Sequence, residues 1–275
     1  MATPSSLDLL RLAVRPLGSV VVAYSGGTDS ALVLAVAAER AQRQIVALTA
    51  VSPSLARREL EGAQAFASQL GVRHMLVDSR ELEDANYAAN PVNRCYFCKR
   101  ELYARCFETL ASLGFEHVLD GFNADDRRDH RPGRQAAIER KVRSPLAEAG
   151  LSKADVREVA RHLGLPIWDK PASPCLSSRV PYGTPVTPER LAQIEAAEEA
   201  LRAIGFREFR VRHLEELARV EVAEAELTRA RDPSVQAEIE RVVQAAGYRF
   251  VQVDSRPLRS GRLNEGLITL RQPTA

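Results

Sequence analysis

No run of apolar residues in this 275-residue chain approaches the ~18 positions that a membrane-spanning helix needs. A helical membrane protein is therefore excluded as a reading. The first residues carry neither the basic start nor the unbroken apolar stretch of a secretory signal, so a cytoplasmic location is the default expectation. Charge of one sign is scarce too: 38 Lys and Arg stand against 36 Asp and Glu, and a formal net charge of +2 gives no electrostatic reason to expect a nucleic-acid partner. Four cysteines without a secretory context do not make a disulfide framework and read instead as metal, redox or catalytic residues. No internal repeat and no low-complexity segment is visible away from the terminal residues. What is present is an ordinary globular composition, 45% hydrophobic and 27% charged, at a length that suits two unequal domains.

The first two thirds alternate short β-branched runs with helical patterns, which predicts an α/β fold, a doubly wound parallel sheet covered by helices. Residues 19–23, 45–51, 72–77 and 117–119 read as successive strands. Residues 30–41, 55–70 and 96–113 carry apolar residues at helical spacing, the last two stopped by Gly71 and Gly114. Ser152 with Asp155 predicts a capped helix running to about Leu163. Six prolines between Pro166 and Pro188 then predict an ordered crossover or linker without regular structure. The domain boundary is expected near Tyr182, dividing 1–182 from 183–275. After it, Thr187-Pro188-Glu189 starts a helix, and the period changes to two around residues 209–212 and 219–222, with a further strand at 248–253. This predicts a small C-terminal α+β domain, suited to binding substrate or to assembling a homo-oligomer.

Three valines lead into Ser25-Gly26-Gly27-Thr28-Asp29-Ser30, followed at once by a helical pattern, so the motif sits at a strand-to-helix turn. Two glycines allow backbone N–H groups to approach an anion, three hydroxyls add donors, and a helix N-terminus adds partial positive charge: a nucleotide phosphate suits such a turn. A carboxylate here, Asp29, would repel the phosphates unless a divalent cation lay between, which implies Mg²⁺. The motif is neither the Gly-x-x-x-x-Gly-Lys loop nor the dinucleotide fingerprint.

Cys95 and Cys98 form a Cys-x-x-Cys pair at the start of the 96–113 pattern, where the helix dipole favours thiolate. Cys175 lies in a proline-flanked loop, and Cys106 sits within an amphipathic helix, where a small buried thiol is expected. Three readings of Cys95, Cys98 and Cys175 stay open: a structural zinc site, which lacks a fourth ligand; a redox disulfide with one bystander; and an iron–sulfur cluster.

The Ser25–Ser30 motif resembles the PP-loop of the ATP-pyrophosphatase superfamily, whose members cleave ATP between the α and β phosphates to form an adenylated intermediate. Two further segments, Asp120-Gly121-Phe122-Asn123-Ala124-Asp125-Asp126 with Arg131-Pro132-Gly133, and Trp168 to Arg179, make the chain similar to the LarE family of ATP-dependent sulfur transferases in nickel-pincer nucleotide biosynthesis. The resemblance covers almost the whole chain. It implies ATP and Mg²⁺ at Ser25, Gly26, Gly27, Thr28, Asp29 and Ser30, with Asn123, Asp126 and Arg131 lining the same site. It places Asp29, Cys175, Ser178 and Arg179 among the catalytic residues. Some members carry only the cysteine of the Pro-Cys-Leu segment and sacrifice its sulfur; others carry all three and resemble cluster enzymes. This chain has all three, which implies a 4Fe-4S cluster on Cys95, Cys98 and Cys175 and sulfide or a sulfur donor protein as partner.

In the second domain Arg210, Arg212, Arg219 and Glu221 share the polar faces of neighbouring strands, a clamp for a substrate phosphate. The bland alternative is an exposed, solvated sheet face. The implied substrate is a small nucleotide, pyridinium biscarboxylate mononucleotide. Two rival readings are a tRNA thiolation enzyme, which combines the same loop with three cluster cysteines, and a nucleotide-binding sensor without turnover.

Overall fold

A strand of consecutive valines has no polar face to turn to water, and in a parallel sheet wrapped by helices it needs none. That is the situation of β1 (Val20–Ala23), all four residues of which are buried. A computed structural model of the protein describes residues 5–39, 44–127 and 132–259. The chain divides into two compact units, Met1–Tyr87 with Asn93–Ser173, and Ala88–Val92 with Pro174–Ala275.

In the first unit β1, β2 (Ile45–Val51), β3 (Arg73–Asp78) and β4 (His117–Leu119) form one parallel sheet in the order β3-β2-β1-β4. The order places β1, and the loop at its carboxyl end, in the interior of the sheet. Alternation sorts the side chains onto two faces. Val20 and Val22 join a core with α1 (Ser6–Val14), α2 (Thr28–Ala38), α3 (Arg57–Gln69) and the later α7 (Pro145–Glu148) and α8 (Lys153–His162). Val21 and Ala23 join another with α5 (Arg94–Leu113) and α6 (Gly133–Glu139). The doubly wound expectation thus holds. α4 (Ala85–Ala88) is a single turn where the chain leaves the first unit.

Local signals placed most boundaries to within a residue or two. Ser152 and Asp155 form the expected reciprocal capping box at α8, worth about 1 kcal/mol. α2 starts at Thr28 rather than Ser30 and α5 at Arg94 rather than Tyr96, so Thr28, Asp29 and Ser30 lie in the first turn of α2 and Cys95 and Cys98 in the first two turns of α5.

The second unit contains α9 (Pro188–Ala203), capped by Thr187, then β5 (Phe209–Leu214), β6 (Leu217–Val222), α10 (Glu224–Ala230), α11 (Pro233–Ala245) and β7 (Phe250–Val253). β5 and β6 are an antiparallel hairpin and β7 runs parallel to β6. Phe209, Val211, Ala218, Val220 and Val222 pack with Leu201, Ile239 and Val243 in its core. The Pro-rich stretch is more regular than expected, since it holds a 3-10 turn, Leu176–Arg179. That turn packs in the second unit, because Arg179 forms a buried ion pair with Glu198 of α9. The division at Ser173 and Pro174 therefore precedes Tyr182, the position expected from the end of the proline-rich run.

His213 is buried on β5, its Nδ1 3.0 Å from Tyr248 Oη and its Nε2 without a partner. Burial, with Arg190 nearby, holds it below its ordinary value of 6.5. The unfolded chain therefore binds the proton more readily, so stability is fully present above that value and is lost as pH falls through the depressed folded one. Urea unfolding from about pH 7 to 5 is expected to show this loss, with a shallower slope in His213→Gln.

Candidate functional site

A phosphate cradle needs backbone N–H groups that no protein atom occupies, held still before the ligand arrives. Gly27 is the N-cap residue of α2 and provides no side-chain cap to the first turn. The loop closes instead around Ser30, whose Oγ accepts from Ser25 N at 3.3 Å, lies 3.2 Å from Ser25 Oγ and donates to Gly27 O at 3.2 Å. Gly26 has φ +73, and a Cβ there would stand 3.0 Å from Ala63 Cβ and 3.3 Å from Glu59 O of α3. Gly27 differs, since its backbone is extended and an added Cβ would meet only Ser25 Oγ at 3.5 Å. The protein leaves open space there.

Thr28 plays another part than the hydroxyl donor expected from the sequence. Its Oγ1 donates to Ile167 O at 2.9 Å, and the residue is buried, so the hydroxyl anchors the loop rather than offering itself to a phosphate. β4 leads directly to the same helix end. A Cβ on Gly121 would lie 2.6 Å from Ser30 N, so only glycine permits this approach of two backbones. Asp120, just before it, accepts from Tyr103 Oη at 2.8 Å, Ser144 Oγ at 2.7 Å and Phe122 N at 3.1 Å, and this fixes the turn.

That turn brings Asn123 and Asp126 to Asp29. Asn123 Nδ2 donates to Asp29 Oδ1 at 3.1 Å, and Asn123 N donates to Asp126 Oδ2 at 3.2 Å. Burial pushes the Asp29 carboxyl up, opposed by Lys153 and the Asn123 bond and reinforced by the Asp126 charge. A carboxylate whose charge is disfavoured by burial and by a second carboxylate nearby is suited to a cation. Within neither unit do three His, Cys, Asp or Glu side chains of the described residues assemble into a metal site. Magnesium does not require them, because it takes one or two carboxylates together with phosphate oxygens and water. Arg131, expected beside these groups, lies outside the described residues.

Cys95 is exposed and Cys98 half-buried in the first turns of α5, and Gly133 of the Arg-Pro-Gly motif lets α6 approach Cys95 O and Lys99 there. Cys106 is fully buried and its thiol is pushed up to about 12 by that burial. Cys175, in the second unit, is exposed. Three accessible thiols and one inert one thus fit the donor set of a three-cysteine cluster in number and kind.

In the second unit the register places Arg210 opposite Glu221 and Arg212 opposite Arg219, so the four predicted residues share one sheet face. That face is not solvated: Arg210, Arg212 and Glu221 are 7%, 5% and 1% exposed, and Arg219 is half-buried. Arg212 Nε donates to Glu221 Oε2 at 3.0 Å and Nη1 to Ser178 O at 2.9 Å. Its Nη2 is 2.9 Å from the same carboxylate, but too poorly aligned for a hydrogen bond. Arg210 has neither hydrogen bond nor ion pair, and burial, with Arg212 and Arg179 nearby, depresses it to about 10. Glu221 and Glu198 oppose that depression without bonding to the guanidinium, which is therefore suited to a further anion.

Arg179 is not available in this way. It grips Glu198 with Nε and Nη2 at 2.8 and 3.0 Å, while Nη1 reaches Pro174 O, Cys175 O and Ser178 Oγ. The sequence placed it among the catalytic groups; the geometry makes it the brace of the turn that carries Cys175. Glu198, which no sequence signal singled out, also accepts from Val211 N at 3.1 Å.

The family model described as queuosine biosynthesis protein QueC matches residues 19–91. The uncharacterized protein slr1717 of Synechocystis sp. is 46% identical over 263 residues, covering 96% of this chain and 98% of that protein. The pyridinium-3,5-bisthiocarboxylic acid mononucleotide synthase of Lactiplantibacillus plantarum is 39% identical over 257 residues, covering 93% and 92%. A tRNA-specific 2-thiouridylase MnmA of Beijerinckia indica is 30% identical over 196 residues, 56% of this chain and 44% of its own.

The two glycines at the loop make opposite demands. Gly121→Ala is expected to lower stability by about 1–3 kcal/mol in denaturant unfolding, because backbone must move. Gly27→Val is expected to unfold like the parent but to lose MgATP binding in calorimetry.

Proposed function

The chain belongs to the pyridinium-3,5-bisthiocarboxylic acid mononucleotide synthase (LarE) family of PP-loop ATP pyrophosphatases, and we propose that it inserts sulfur into the nickel-pincer cofactor precursor at the expense of ATP. The observation that carries the reading is the uncapped first turn of α2, open at Gly27 and faced by Asp29 and Asn123. Its N–H groups would stabilise the triphosphate as a carboxylate oxygen of the substrate attacks the α-phosphorus. Asp29 and Asp126 would hold a Mg²⁺, and the chemistry such an ion would supply is neutralisation of phosphate charge. Pyrophosphate leaves with the bonding electrons, and the product is an acyl adenylate. A sulfur nucleophile then forms the C–S bond as the C–O bond to AMP breaks, giving a thiocarboxylate.

Cys95, Cys98 and Cys175 would hold a 4Fe-4S cluster with one iron free of protein ligands, and the chemistry such a group supplies is a loosely held sulfide. The buried, unpaired Arg210, with Arg212 beside it and Arg219 and Glu221 on the same face, suits the phosphate of a mononucleotide substrate. Ser178 supports that turn through its carbonyl bond to Arg212. The four cysteines, all among the described residues, form no disulfide, which fits a reducing cytoplasm. No described helix is long and apolar enough to cross a membrane. Homo-oligomerisation through the second unit belongs to the same reading. A tRNA substrate has less support, because the identity with 2-thiouridylases is confined to 56% of the chain and the net charge is +2. The measurement that separates this reading from a sensor without turnover is pyrophosphate release, which is expected to depend on substrate.

Arg210→Ala is expected to raise the KM for the mononucleotide by about tenfold or more while leaving MgATP affinity unchanged. The reverse pattern in steady-state kinetics would assign Arg210 to ATP. Replacing Cys95, Cys98 or Cys175 with Ala is expected to remove most bound iron from anaerobically reconstituted protein, whereas Cys106→Ala retains it. Intact mass after turnover is expected to be unchanged; dehydroalanine at position 175 would make that cysteine the sulfur source.

A further inference from the structure

Segment Ile167 to Lys170 touches the phosphate loop twice, once through Ile167 O and Thr28, and once through Lys170. Lys170 Nζ donates to Gly26 O at 2.9 Å and lies 2.7 Å from Glu59 Oε2 of α3. Its own carbonyl accepts from Arg157 Nη2 of α8 at 2.9 Å. The ammonium is thus held between α3 and a single loop carbonyl, while α8 holds the backbone of the same residue; side-chain exposures are 25% for Lys170 and 20% for Glu59. The choice of carbonyl matters. In a trans peptide C=O and N–H point in opposite directions, so capture of Gly26 O by Lys170 aims Gly27 N–H the other way, where it donates a long hydrogen bond to Ser25 Oγ at 3.5 Å that a phosphate oxygen can replace. Gly26, at φ +73, is the residue that offers least resistance to a flip of that peptide. A flipped peptide would present a carbonyl oxygen, not an N–H, to an arriving phosphate.

We propose that Lys170 is a positioning residue for the adenylation step: seated against Glu59, it fixes the Gly26–Gly27 peptide so that Gly27 N–H faces the triphosphate. The proposal rests on the loop being the ATP site. It explains why a lysine beside a phosphate-binding turn is neutralised by a glutamate instead of being left free as a ligand. It also makes Glu59 part of the positioning device, although its α3 contributes no group to the cradle itself.

The test compares Lys170→Met and Lys170→Arg with the parent full-length chain, using MgATP affinity by calorimetry, adenosine binding by saturation-transfer NMR, and melting temperature. The expected result for Lys170→Met is about a tenfold or greater loss of MgATP affinity, the scale of one hydrogen bond to a charged group, with adenosine binding unchanged. Lys170→Arg, which keeps charge and donors, is expected to recover most of that loss. Gly27→Val serves as the control. If it abolishes MgATP binding while Lys170→Met does not weaken it, the positioning role is wrong and the ATP site stands. If Gly27→Val also binds MgATP normally, the site itself is misplaced. Equal losses for ATP and adenosine, or no recovery with arginine, would reduce Lys170 to a general structural contact and overturn the proposal.

Discussion

The first unit is organised around one constraint: the backbone N–H groups at the start of α2 must stay open to a ligand and still be held rigid. An ordinary capping side chain would fix the helix end but fill the cradle. The fold instead fixes it from behind. Ser30 ties the loop to itself, Thr28 and Lys170 tie it to Ile167 and α3, and Gly121 brings β4 against it. The all-buried β1 then seats the loop in the interior of the sheet, where it has strands on both sides.

The second unit meets a related difficulty with charge rather than with backbone. Three arginines and two glutamates share a dry region, and the glutamates are engaged by Arg179 and Arg212. Desolvation of the remaining guanidinium is a standing cost to the folded protein. A site of this kind trades stability for readiness, since an anion placed beside Arg210 recovers energy that the empty fold has already lost. The bidentate Arg179–Glu198 pair serves the opposite end, stiffening the turn on which Cys175 is exposed.

Much of this was legible in the sequence because it is written over short distances. The valine run gave β1, Ser152 and Asp155 gave the α8 cap, and the alternation around Arg210 and Arg212 gave their shared face. The hidden parts are contacts between residues far apart along the chain. Thr28 and Ile167 are 139 positions apart, Gly26 and Lys170 144, and no local pattern says that a loop hydroxyl will turn inward to a distant carbonyl. The burial of the polar strand face was likewise invisible, because it depends on a 3-10 turn in a stretch whose prolines read as irregular. The early position of the unit boundary has the same origin in the Arg179–Glu198 pair.

Cys106 gives the chain a built-in gauge of its own integrity. Its neighbours in the core of α5 and β1 exclude solvent, and its thiol resists ionisation near neutral pH. Thiol reagents therefore meet three accessible sulfurs in the native protein and a fourth only when the packing of α5 opens. The rate at which that fourth thiol is modified measures the opening of the sheet's helical cover directly, independent of nucleotide, cluster or substrate.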